Sequence, residues 1–287
     1  MATSSPTALR WWFAVAMRRL REAAGVSREA AAQAIQGSVS AIAHIENGRS
    51  LPKPLELKEL LRLYGKAEQV DAFQGLRERA RKGRDWWIGF ANNEIEQDFD
   101  VFLGMESSAS QIESWDAQVI PGLLQTRAYA EALVRGGNPN LPKDEVERRV
   151  ELRLTRQQMV FEQGEHPLVW RVVAEPALTW RIGGDTVMRE QLNHLADLAE
   201  RPGIKLQVLC SAVGAHTGVE GTFTILSAPP ELEDYPGCVY VETLVAPYYY
   251  EELEQIRKYR NALDELRIKA TAPDKTPALF RQLAKEL

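Results

Sequence analysis

The sequence predicts two unlike parts: an all-α bundle of about five short helices, then a larger α+β domain with a mixed sheet of about four strands. Three observations carry this. Up to Gly65, apolar residues recur at helical spacing between frequent turn signals. Beyond residue 105, four β-branched or apolar segments alternate with longer amphipathic helices. The charge also divides. Residues 1–84 hold 15 Lys/Arg against 8 Asp/Glu, a net +7, while the remainder holds 20 against 32, a net −12, within an overall −5. Such asymmetry hints at a basic, nucleic-acid-facing module joined to something else. On charge alone, two ordinary solvated surfaces remain an equal reading.

Composition narrows the class. With 45% hydrophobic and 26% charged residues, the chain of 287 can pack ordinary cores and is neither disordered nor fibrous. Two cysteines, Cys210 and Cys238, make no disulfide framework and read as reduced thiols of a cytoplasmic, nucleoid-associated protein. The apolar run Trp11–Met17 leads straight into Arg18-Arg19-Leu20-Arg21 without a small-residue cleavage site, so it is not read as a signal peptide. No stretch approaches the ~18 apolar residues of a membrane span.

In the first part, Phe13, Met17, Leu20 and Ala24 line one face of a helix that Gly25 stops. Ser27 is a good N-cap for a second helix, about Arg28 to Ile35, with Glu29 in its first turn. Its alanines Ala30, Ala31, Ala32 and Ala34 let another helix approach closely. Gln36-Gly37 makes the turn, and Ser38 caps a third helix running to about Glu46. There Ile42 and Ile45 face inward, while Val39, Ser40 and His44 fall on the other side. Asn47-Gly48 ends this helix, Pro52 and Pro54 mark a loop, and Leu57, Leu60, Leu61 and Tyr64 shape a further helix closed by Gly65. A short helix, a tight turn and a second short helix with a polar outer face suit a groove-reading unit; small helical bundles in general alternate in the same way.

The residues themselves decide between these. "AGVSREAAAQAI" followed by "SVSAIAHIENGRSLP" resembles the phage-repressor-type (XRE) helix-turn-helix family over Leu9–Gly65. The resemblance implies that the third helix enters the major groove of double-stranded DNA, with Val39, Ser40 and His44 at base edges. It implies phosphate contacts from Arg28, Ser38, Asn47 and Arg49, which position without reading sequence. Arg21 and Glu46 match a partly buried structural salt bridge of that family. The family often has glycine where this chain has Gln36, with Gly37 one residue later, so the turn is expected to differ locally.

Residues 66–104 read as a helical connector in which Arg77, Arg79, Arg81, Lys82 and Arg84 either touch flanking phosphates or form a solvated face. Thr126 is a candidate N-cap after Pro121-Gly122-Leu123-Leu124-Gln125, and a long helix is expected over Lys143–Phe161. Strands are expected at Leu168–Ala174, Lys205–Leu209, Thr222–Leu226 and Cys238–Glu242. A helix over Asp185–Ala199 gives the first two strands the spacing of a βαβ crossover, and Glu251–Ala270 forms the last strong helix. The blocks "ESSASQIESWDAQVIPGLLQTRAYAEAL", "RLTRQQ", "EPALTWRIGG", "GAHTGVEGTFTIL" and "VYVET" resemble the effector half of WhiJ-like actinobacterial regulators. That resemblance implies a transcription factor whose large C-terminal domain has no defined activity. It also implies a small protein partner encoded nearby, as for antitoxins.

No catalytic or metal constellation stands out, so no enzyme, metal or cofactor is expected. The four histidines lack ligand spacing. Glu175 and Glu242, at strand ends, either share a cleft as paired acids or form ion pairs with Arg153, Arg156 or Arg181. The Pro121–Gln125 block either packs Leu123 and Leu124 into the core or lines a ligand or partner pocket, with Gln125 and Tyr129 orienting the guest. His216 is either a turn residue or a further contact of that pocket. The expected organisation is 7–65 for DNA binding, 66–104 as connector and 105–287 as effector domain. The expected function is a homodimeric, sequence-specific DNA-binding regulator that receives a small partner protein or small-molecule effector. The alternative is an antitoxin-like module that sequesters a partner.

Overall fold

The structure, a computed structural model, describes residues 5–82, 85–90, 99–162, 166–229, 232 and 235–287. Arg84 of the expected basic connector lies outside them. The N-terminal region contains α1 (Pro6–Ala23), α2 (Arg28–Ala34), α3 (Val39–Glu46), α4 (Pro54–Leu63) and α5 (Val70–Arg81). Local chemistry places their starts. Ser5, Ser27 and Ser38 accept hydrogen bonds from the backbone N–H groups of Ala8, Ala30 and Ala41, each at 3.1 Å. Pro6 and Pro54 occupy first-turn positions where a missing N–H costs nothing.

The helical region runs past residue 65 to Arg81, because α5 folds back along α1 and buries Phe73, Leu76, Arg77 and Ala80. The rings of Phe13 and Phe73 meet edge to face at 5.8 Å. For Arg77 both expected alternatives, phosphate contact and solvated face, are thereby corrected. The Arg77 guanidinium is buried, with Nε donating to the Pro52 carbonyl at 2.6 Å, whereas Arg79, Arg81 and Lys82 stay exposed.

The second part contains α6 (Phe99–Ser108), β1 (Gln111–Asp116), α7 (Arg127–Gly137), α8 (Lys143–Phe161), β2 (Leu168–Ala174), α9 (Glu175–Thr179) and α10 (Asp185–Ala199). Then come β3 (Ile204–Leu209), β4 (Phe223–Leu226), β5 (Cys238–Val241), β6 (Tyr248–Tyr250), α11 (Leu253–Lys269) and α12 (Thr276–Lys285). The sheet has six strands in the order β3-β2-β1-β4-β5-β6, parallel across β1–β2–β3 and antiparallel elsewhere. β2, α10 and β3 form the expected crossover.

The four expected strands are β2 to β5; β1 and β6 are additional. β1 escapes an apolar pattern because two of its buried residues are acids. Glu113 accepts from Arg260 at 3.1 Å and Arg267 at 2.5 Å, both on α11, and Asp116 accepts from the Ser114 hydroxyl at 2.5 Å. Burial pushes the Asp116 carboxyl up from its ordinary pKa, against the opposing charge of Arg171. β6 is only three tyrosines long.

One sheet face, with Trp115, Val172, Phe223, Ile225 and Val239, packs on Ile256, Leu263 and Leu266 of α11. On the other face, Val173, Leu206 and Val208 meet α10 and α12. The rest of that face does something the domain boundaries did not suggest. Ile112, Val169, Leu226 and Tyr240 join one apolar cluster with α6 and with Trp12, Phe13 and Met17 of α1. Trp12 Nε1 donates to Ser108 Oγ at 3.1 Å, Arg18 pairs with Glu251, and the Arg19 guanidinium lies 4.5 Å over the Tyr235 ring.

α6 approaches α1 so closely at Gly104 that an added Cβ would lie 2.7 Å from Ser5 Oγ and 2.9 Å from Ala8 Cβ. Gly104→Ala is therefore expected to destabilise the chain by about 1–3 kcal/mol through overpacking, measurable as a lower denaturant midpoint. An unchanged midpoint would show that α6 has slack against α1.

Candidate nucleic-acid interface

The turns that follow the first four helices share one hydrogen-bond pattern. At each C-terminus the residue two past the cap donates to the carbonyl five positions back: Val26 to Arg21, Gly37 to Ala32, Arg49 to His44 and Lys66 to Leu61. The residue before it takes a positive φ, as Gly25, Gly48 and Gly65 do readily at 65°, 71° and 73°. At the turn into α3 that position is Gln36, at φ 53°. The expected local difference is thus not in the path of the backbone, which keeps the pattern; a side chain occupies the left-handed position instead. α3 follows with Ile42 and Ile45 buried beneath it.

Its outer face is open. Val39, Ser40 and His44 are exposed, Val39 by 40%, so none of the described residues of the second domain covers them. Asn47 and Arg49 are exposed just beyond the helix, and Ser38 is exposed at its start, where its Oγ caps the helix while the hydroxyl hydrogen is free to donate outward. Six of the seven residues expected to touch DNA are therefore exposed together on α3 and its two ends.

Arg28 differs from the other six. It is half-buried, and its Nε donates to Glu46 Oε2 at 2.8 Å. Glu46, whose side chain is 1% exposed, also accepts from Arg21, through Nε at 2.5 Å and Nη2 at 3.2 Å, while Arg21 Nη1 reaches the Val26 carbonyl at 3.0 Å. One carboxylate thus ties α1, the start of α2 and the end of α3. The hydrogen bond that Arg21 donates to Glu46 raises the Arg21 pKa further, outweighing the effect of burial. Arg28 keeps only its outer Nη groups for phosphate.

The candidate pocket residues are buried in the fold or separated by the sheet. Leu123 and Tyr129 are buried at 1% and 0% exposure, and Gln125 is spent internally: its Nε2 donates to the Ile120 carbonyl at 2.7 Å and its Oε1 accepts from Arg153 at 2.7 Å. Tyr129 belongs to the cluster over α10, whereas His216 packs on Trp115 at 5.2 Å on the α11 side of the sheet. Opposite faces of one sheet cannot line one pocket. Glu175 and Glu242 do not meet either: they follow β2 and β5, three strand steps or about 14 Å apart, and Glu175 accepts from Ser211 N at 2.7 Å. Among the described residues, no helix is long and apolar enough to cross a membrane.

Two substitutions test the frame of this face. Glu46→Ala strands Arg21 in a buried site, and a loss of about 3–5 kcal/mol is expected in chemical denaturation. Gln36→Gly relieves the left-handed side chain, and a gain of about 1 kcal/mol is expected in the same assay.

Comparison with known proteins agrees with this geometry. Residues 12–73 match the family described as "Helix-turn-helix domain", and residues 99–282 match "Domain of unknown function (DUF5753)". No curated protein and no solved structure matches the chain. With that second match spanning well over half of its length, the chain belongs to the DUF5753 family and carries a helix-turn-helix domain ahead of it.

Proposed function

We propose that this protein is a sequence-specific, DNA-binding transcriptional regulator of the WhiJ-like kind. The observation that carries the reading is the outer face of α3, which the second domain leaves clear within a matched helix-turn-helix domain. In this reading α3 lies in the major groove. Val39 meets a thymine methyl, Ser40 a donor or acceptor, and His44 a guanine N7 or O6. Arg28, Ser38, Asn47 and Arg49 hold phosphates and fix the register. The protein acts as a homodimer on paired half-sites, about 34–36 Å apart from centre to centre.

The domain beyond residue 105 receives a small partner protein or a small-molecule effector. The net −12 of residues 85–287 supports a role away from DNA and suits a basic partner surface. Of the two effector types a protein fits better, since Leu123, Gln125 and Tyr129 are consumed by the fold.

Selection of bound sequences from a random duplex library tests the readout. His44→Ala and Ser40→Ala are expected to relax preference at one or two base positions, at about 1–3 kcal/mol per lost base contact. Arg28→Ala is expected to weaken all sequences alike. Unchanged preference in both His44→Ala and Ser40→Ala would overturn the assignment of α3 as the reading helix.

A further inference from the structure

Four contacts bring basic residues from separate elements to one place beside α3. The turn at Gly48 lies on α1, where an added Cβ would be 3.6 Å from the Arg10 carbonyl and 3.7 Å from Ala14 Cβ. Arg10 in turn reaches across to the end of α5, its Nε donating to the Ala80 carbonyl at 3.2 Å. The loop after α3 is pinned to α5 by Arg77 Nε on the Pro52 carbonyl at 2.6 Å and Gln74 Nε2 on the Pro54 carbonyl at 2.9 Å. Arg81 stands one helical turn beyond Arg77 on the same stripe of α5. Arg10, Arg49 and Arg81 are all exposed, and none pairs with a carboxylate among the described residues. Lys53 and Lys82 flank them, each with a carboxylate within reach: Glu56 at 3.3 Å and Glu78 at 3.9 Å.

We infer that Arg10, Arg49 and Arg81 form a ridge that grips the DNA phosphate backbone outside the base pairs read by α3. This rests on the reading of α3 as the groove helix, and it adds α1 and α5 to the interface. The partner follows from the chemistry. Three exposed guanidiniums from three elements, that of Arg10 held by the Ala80 carbonyl and none paired with a carboxylate among the described residues, match a row of phosphates rather than base edges. Arg77 is the brace. Its buried guanidinium fixes the loop carrying Arg49 and Lys53 against α5, so the cations are ordered before DNA arrives.

The test measures binding of the full chain to a duplex selected by it and to a scrambled duplex of equal length, across a salt series. For Arg10→Ala/Arg81→Ala, each lost phosphate contact is expected to flatten the plot of log K against log salt by about 0.9. Affinity for both duplexes should fall together, leaving the ratio between them unchanged. Arg10→Lys/Arg81→Lys should restore most of the slope, because charge rather than base recognition is at stake. Arg257→Ala, at an exposed position of α11, controls for overall charge. A double variant with wild-type slope and affinity overturns the ridge while leaving base reading by α3 intact. A changed ratio between the two duplexes overturns it as well, by making these residues base readers. A wild-type chain that binds neither duplex at low salt removes the DNA reading itself, and the ridge with it.

Discussion

The burial of α1 on nearly every side is the constraint on which the rest of the molecule depends. Nine of its eighteen residues are buried, among them the run Trp12–Met17. A helix apolar all round must be covered all round. Here α3 and α5 cover one side, and α6 with the sheet face around Ile112 and Tyr240 covers the other. The helix that supports the helix-turn-helix pair is therefore also the core strut of the second domain. Positioning of α3 relative to the sheet follows from this one element, not from a hinge.

Around that strut, buried charges set the finer geometry. Glu46 gathers Arg21 and Arg28, so the angle between α2 and α3 rests on a single carboxylate touching three helices. In the second domain Glu106 on α6 is wholly buried and pairs with Arg156 of α8, whose guanidinium also lies 5.1 Å over the Phe102 ring. These pairs stabilise less than apolar groups of similar volume would, since desolvation offsets much of the attraction. What they add is directionality: a carboxylate satisfied by two guanidiniums has few alternative arrangements, whereas a leucine tolerates several.

Much of the fold was legible in the sequence, for identifiable reasons. Ser27, Ser38 and Thr126 cap helices from the expected positions, and the long helix over Lys143–Phe161 and the strand over Leu168–Ala174 have the expected bounds. These are local signals. What escaped was set by partners distant in the chain. β1 looked polar because Glu113 is neutralised by Arg260 and Arg267, about 150 residues away. Arg77 looked like a surface cation because nothing nearby in sequence shows that its partner is the Pro52 carbonyl. The Pro121–Gln125 block advertised polar groups, yet Gln125 bonds within its own turn and to Arg153. The run Trp11–Met17 held the clue to α1: its apolar residues exceed one helical stripe, which signals a helix covered on two sides.

The shared strut bears on how such a chain can be rearranged. A reading head with its own closed core can be grafted onto unrelated sensors, since cutting the linker exposes little. Here a cut between α5 and α6 would lay Trp12 and its apolar neighbours bare on one piece and Ile112, Phe102 and Tyr240 on the other. Neither piece would be a clean module. In this chain the two matched regions thus share one core, and a chimaera built from it would have to carry α1 together with the sheet face that it covers.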